Sequence, residues 1–123
     1  MNDRRTGIVF DQRYLHHCIP RQSLENPARL QSLYLTLSLA GYTDRCRVVP
    51  ARQAPMEDVL AVHSSFYLDQ IREHAVTPNP YSYDKDTYLM EDTLATAMLA
   101  AGGCMALADE IMAHDIDQGF ALI

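Results

Sequence analysis

Short apolar runs alternate with stretches of helical period along this chain, and that alternation restricts its fold more than any other feature. Thr6-Gly7-Ile8-Val9-Phe10-Asp11 reads as a strand, with a β-branched and aromatic core. Residues 27–40 read as a helix. Asn26 stands at the cap and Pro27 in the first turn; Leu30, Leu33, Leu37 and Ala40 recur at three- and four-residue steps, and Gly41 closes it. Arg45-Cys46-Arg47-Val48-Val49-Pro50 reads as a second strand, ended by its proline. Pro55 opens a short helix with Val59, Leu60 and Val62. The chain breaks and recaps at His63-Ser64, and a further helix runs to about His74 with Phe66, Tyr67, Ile71 and Ala75 on its buried side. Residues 76–86, with Pro78, Pro80 and several charges, make a long loop, and long loops in compact domains are functional or disordered. Thr87 then caps a helix to about His114, with Leu94, Ala97, Met98, Ala101, Met105, Ala108 and Met112 as its apolar stripe. A turn at Asp117-Gln118-Gly119 leads into Phe120-Ala121-Leu122-Ile123, a buried third strand.

The order β-α-β-α-α-loop-α-β implies an α/β fold of three layers, with a mainly parallel sheet between helices. Three such strands leave apolar edges exposed. In parallel α/β sheets, ligands bind at the loops beyond the carboxyl ends of strands. The sequence stops at Ile123, where such a loop would begin. The expectation is that residues 1–123 are the N-terminal part of one larger α/β domain.

Composition narrows the function. Apolar residues make up 48% of the chain, enough for a packed core and too many for a disordered segment. A net charge of −6 argues against a nucleic-acid backbone as partner. No apolar run approaches the about 20 residues that span a bilayer. Met1–Thr6 carries two arginines but no apolar segment of signal-peptide length behind it. The chain reads as soluble and cytoplasmic, with neither nucleic acid nor membrane as partner. Cys18, Cys46 and Cys104 are odd in number and far apart, the pattern of reduced thiols, and Cys104 reads as packing within its helix. Gly102-Gly103 lies mid-helix, where each glycine costs about 1 kcal/mol relative to alanine; the pair implies close backbone packing. The first strand is not followed by a glycine-rich phosphate loop, which leaves a nucleotide-binding fold as the weakest alternative.

In this order the pieces resemble the opening of the histone deacetylase superfamily, zinc-dependent deacylases of the arginase-deacetylase fold. Thr6–Asp11 is similar to that family's first strand, and Glu25-Asn26-Pro27-Ala28-Arg29-Leu30 to its Pro-x-Arg helix start. Residues 56–67 resemble the short acidic helix followed by His-Ser-x-x-Tyr. Asp84-Lys85-Asp86-Thr87-Tyr88 resembles the acidic loop ahead of the long helix, Ala100-Ala101-Gly102-Gly103 its Gly-Gly element, and Phe120–Ile123 the strand leading to the Pro-Pro-Gly-His-His segment. The resemblance implies a deacylase acting on acyl-lysine or acylpolyamine substrates. It also implies that the His-His pair, the Asp/His/Asp zinc ligands and the transition-state tyrosine lie beyond Ile123. No catalytic residue and no metal ligand are assigned here; zinc is expected only for a complete domain, and the 123-residue chain alone is expected to be inactive. Two residues match functional positions. Asp86 stands where the family holds the substrate backbone, a charge-assisted bond, or else it caps the helix after it. Arg29 stands where an arginine lines the internal channel, or else it is a surface residue of an amphipathic helix.

His16-His17 reads as an ordinary loop pair and His63 as part of the helix break, since no second ligand stands at a helical or hairpin spacing. Tyr81, Tyr83 and Tyr88 form either a substrate rim or packing for the loop. A reading of another class is a non-catalytic module that self-associates to cover the incomplete sheet.

Overall fold

The computed structural model describes residues 5–18, 24–76 and 79–123. Among the described residues nine elements follow one another: β1 (Thr6–Val9), α1 (Pro27–Leu39), β2 (Arg47–Val48), α2 (Met56–Val62), α3 (Ser65–His74), β3 (Tyr81–Ser82), β4 (Tyr88–Leu89), α4 (Thr93–Met112) and β5 (Gln118–Ala121), with 3-10 turns at Gln12–His16 and Thr43–Arg45. The order β2-β1-β5 makes a parallel sheet with β1 in the middle. This is part of a three-layer α/β fold. A separate antiparallel hairpin, β3–β4, occupies the stretch read from sequence as plain loop.

The caps explain several boundaries. Pro27 opens α1, and Asn26 holds the cap position in extended backbone without making a side-chain capping bond. Gly41 takes φ +72° beyond the end of α1. There its N–H reaches the Ser38 carbonyl and that of Tyr42 reaches Leu37, the paired bonds of a Schellman turn. The expected break at His63-Ser64 is present: Ser64 accepts the Tyr67 N–H at 3.2 Å and starts α3. α4 ends in the same Schellman pattern, with His114 rather than glycine at φ 60°.

Pairing places residues of one register on one face of the sheet. Val9, Val49 and Ala121 face α4, whose Ala106 and Leu107 complete the core together with Ile116 beyond the helix. A second cluster joins Tyr14, Leu30 and Leu99. The opposite sheet face carries Ile8, Val48 and Phe120, of which Ile8 is covered while Val48 is 65% and Phe120 51% exposed.

Several expectations need correction. The second strand has two residues rather than six, because a 3-10 turn takes up Thr43–Arg45. α3 buries Leu68 and Ile71, with Ala75 just beyond it, whereas Phe66 is 70% exposed. Thr87 caps no helix: it precedes β4, and α4 begins at Thr93. The last strand is Gln118–Ala121 and is only partly covered. Cys104 is exposed, on the outer side of α4.

The buried face of α4 is not the stripe from Leu94 to Met112 but Leu99, Gly102, Gly103, Ala106 and Leu107. Leu94, Met98 and Met105 instead line an apolar cleft of about 300 Å³ shared with α2 and α3. With both sides apolar, α4 is long and apolar enough to cross a membrane by length and composition, contrary to the reading that no such run exists. One side of it packs against β1 and β5. The glycine pair does mark close packing. A Cβ on Gly102 would collide with the main chain at Arg52–Ala54, and one on Gly103 with the Tyr14 hydroxyl.

Candidate functional site

The β3–β4 hairpin presents Asp86. Tyr83 N–H donates to the Thr87 carbonyl at 3.0 Å and closes the turn. Inside it, Asp84 Oδ1 accepts the N–H groups of Asp86 at 2.8 Å and Thr87 at 2.6 Å. Those backbone bonds favour the anion and hold the Asp84 carboxyl below the usual aspartate range. Asp86 is exposed at this turn, well ahead of Thr93, so it does not cap α4.

Two histidine–tyrosine stacks grip the hairpin, one on each strand. His74, on α3, lies on Tyr81 with ring centroids 3.9 Å apart and planes 3° apart. Tyr83 stands edge-on to Tyr81 at 5.1 Å, completing an aromatic group at the exposed end. His17 lies on Tyr88 at 4.5 Å and 3°. Tyr88 is buried and serves as packing; Tyr81 and Tyr83 pack on each other while keeping exposed surface.

His17 is more than the loop histidine read from sequence. Its Nδ1 lies 3.0 Å from Thr93 Oγ1, which itself accepts the Met90 N–H at 2.7 Å. Burial pushes the imidazole below its ordinary 6.5, against the opposing pull of Glu25. His16 ends the 3-10 turn and His17 is its C-cap, with non-helical backbone. His16 lines a different cleft, with Arg13 and Asp92.

Arg29 sits on α1, exposed, and pairs with Glu25 at 3.4 Å. Arg29, Glu25, His17, Tyr14, Leu30 and Tyr88 all border one cleft of about 200 Å³. Burial pushes the Tyr14 phenol up to about 12, and its hydroxyl stands 3.4 Å from the Leu99 carbonyl. Arg29 and His17 therefore share a cleft, while Asp86 is at the hairpin turn and does not border it. His63 closes α2 and leans on the Tyr67 ring at 5.4 Å. Among the described residues no three of His, Cys, Asp and Glu are grouped to hold a metal. These residues give zinc no donor set, and no step through a metal can be built on them.

A family model described as the histone deacetylase domain matches residues 23–123. The chain is 33% identical to histone deacetylase 15 of Arabidopsis thaliana over 96% of its own length and 22% of that protein's. It is 29% identical to the polyamine deacetylase HDAC10 of Danio rerio, over 96% and 19%. With a probable deacetylase of Archaeoglobus fulgidus the identity is 31%, over 96% and 33%. The crystal structure of the HDA15 HD domain superposes with a TM-score of 0.87 at 30% identity, over 98% of this chain and 35% of that one. The chain thus spans between a fifth and a third of the length of these curated relatives.

Proposed function

Because this chain belongs to the histone deacetylase domain family, we propose that it forms the N-terminal, substrate-side portion of a zinc-dependent deacylase acting on acyl-lysine or acylpolyamine substrates. The observation that carries this reading is the match of sequence and fold over nearly the whole chain. In it, Asp86 accepts amide N–H groups of the substrate from the hairpin turn, Arg29 borders the internal cleft, and the zinc ligands belong to other parts of the full-length protein. The 123-residue chain alone catalyses no deacylation. The net charge of −6 argues against a nucleic-acid backbone as partner.

The test is deacylation of an acetyl-lysine peptide and an acetylpolyamine by the full-length protein. Loss of a hydrogen bond to a charged group is worth about 1.5–3 kcal/mol, so Asp86→Ala should raise KM by roughly 10- to 100-fold. An unchanged KM removes Asp86 from the substrate site. Metal-dependent turnover by the isolated chain overturns its assignment as the inactive part.

A second reading is supported by the exposed Val48 and Phe120 on the uncovered sheet face. In isolation the chain self-associates through that face and the outer strands, as a non-catalytic module. Its solution mass decides: a dimer or larger species that Phe120→Lys returns to monomer supports it, and a wild-type monomer ends it.

A further inference from the structure

The β3–β4 hairpin has two paired residues per strand, too little to hold itself in place. Its position depends on what it packs against. On the β4 side Tyr88 and Leu89 are both buried, and an imidazole lies on the Tyr88 ring. His17 covers the Tyr88 ring and bonds Thr93, whose hydroxyl also fixes the Met90 N–H just after β4. One side chain thereby joins the 3-10 turn after β1, the second strand of the hairpin and the start of α4.

We propose that His17 is a positioning residue for Asp86: its neutral ring holds the hairpin to the body of the domain, and protonation of that ring releases it. The inference rests on the reading of Asp86 as a substrate-holding residue. Burial over the covered Tyr88 ring favours the neutral state of the imidazole. Thr93 Oγ1 accepts from Met90 N–H and has one proton to give, which goes to Nδ1 when that nitrogen is bare. A proton on Nδ1 takes away the acceptor of the Thr93 hydroxyl proton, which must turn elsewhere while the second lone pair of the oxygen takes the new donor. It also places a charge in the half-buried space over Tyr88.

The surrounding charges do not rescue the cation. Glu25 favours it, but Arg29 is already paired with Glu25 and borders the same cleft as a second positive charge. Tyr14, its phenol pushed up to about 12, brings no charge, and Asp92 lines a separate cleft with Arg13 and His16. The second stack, His74 on Tyr81, sits on the other strand. Release is therefore a swing of β4 and the turn rather than loss of the whole hairpin.

The experiment is hydrogen–deuterium exchange on the full-length protein from about pH 8 to about pH 5, spanning the titration of histidine. Protection is corrected for intrinsic exchange and compared between peptides covering 81–92 and those covering α1. Hairpin protection should fall roughly tenfold below the ordinary histidine range while α1 stays constant, as a local opening requires. His17→Phe keeps a stacking ring that cannot titrate, and should abolish the pH dependence. Thr93→Val removes the hydroxyl that ties the ring to the start of α4, and should lower hairpin protection already at about pH 8. In parallel, KM for the acetyl-lysine peptide should rise in acid for the wild type and not for His17→Phe.

Flat hairpin protection in the wild type overturns the proposal, and so does an undiminished fall in His17→Phe. Should that variant not fold, Thr93→Val decides, and hairpin protection unchanged from the wild type at about pH 8 counts against the proposal. If exchange behaves as expected while Asp86→Ala leaves KM unchanged, the latch stands and the reading of Asp86 fails, so the two are told apart.

Discussion

Gly102 rests against the main chain at Ala54: the Ala54 N–H donates to the Met98 carbonyl of α4 at 2.9 Å, and a Cβ on Gly102 would stand 2.6 Å from that same nitrogen. The neighbour is backbone, already fixed by its own hydrogen bond, so it cannot yield as a side chain would. Gly102→Ala should destabilise the protein by about 3 kcal/mol, the upper end for overpacking. Gly103→Ala meets mainly the end of the Tyr14 side chain and should cost less. Thermal unfolding of both variants checks this, and an alanine at 102 that leaves Tm unchanged shows that α4 is not seated at this distance.

Two apolar residues of α4 separate its inner from its outer face. Leu99 is 2% exposed and Met112 79% exposed. Leu99→Ala should cost about 2–5 kcal/mol, the range for a core leucine. Met112→Ala should stay within about 0.5 kcal/mol of the wild type, as surface substitutions do. Denaturant titrations that give the opposite ranking put the wrong face of the helix inside.

His114 holds a left-handed conformation at φ 60°, which costs a residue with a Cβ about 1–2 kcal/mol. Its carbonyl accepts the Arg5 guanidinium at 2.6 Å, a bond that needs no His114 side chain. Glycine keeps both the turn and that bond. His114→Gly should therefore stabilise the protein, by about 0.5–1 kcal/mol once glycine's greater freedom in the unfolded chain is subtracted. A lower Tm for this variant would assign the imidazole a role that the turn does not require.

Stability should depend on pH in two separate windows. Burial of His17 lowers its folded pKa below 6.5, so the unfolded chain binds more protons between the two values. Its contribution is complete above about 6.5 and is lost as pH falls below it. The side-chain bonds of Arg13 to Asp11, and the backbone N–H groups of Asp86 and Thr87 to Asp84, lower those two carboxyls below 3.8. Their contribution is present above about 3.8 and is lost in stronger acid. The denaturation midpoint should step down in both windows, and His17→Phe should erase only the upper step. One step common to both proteins would assign the upper window to a different group.

The β-α alternation was readable because each element carries its own local signal. Pro27 and Gly41 fix boundaries by backbone chemistry and Ser64 by its capping hydroxyl, and the structure keeps all three. The phase of α4 was not readable from periodicity, because a helix apolar on both sides fits two stripes equally well. Gly102-Gly103 held the answer: residues chosen for close approach belong on the buried side, and Leu99, Ala106 and Leu107 share it. The hairpin escaped notice since its strands are two residues long and its turn is charged. Asp86 and Arg29 were named through family resemblance. His17 was not, because its importance lies in Tyr88 and Thr93, more than seventy residues away in sequence.

The central strand is completed from opposite directions of the chain. Thr6 pairs with Gln118 across a separation of 112 residues. Loop closure of that length has an entropic cost that grows as the logarithm of the separation, and it must be met before the contact returns anything. Synthesis adds residues at roughly 5–20 per second. For several seconds on the ribosome, β1 therefore waits beside β2 alone, with one flank unpaired and Val9 awaiting the helix that will cover it. Before β5 emerges, that flank is the segment most open to a chaperone or to a neighbouring chain, which makes the first strand rather than the long apolar helix the vulnerable point in the birth of this protein.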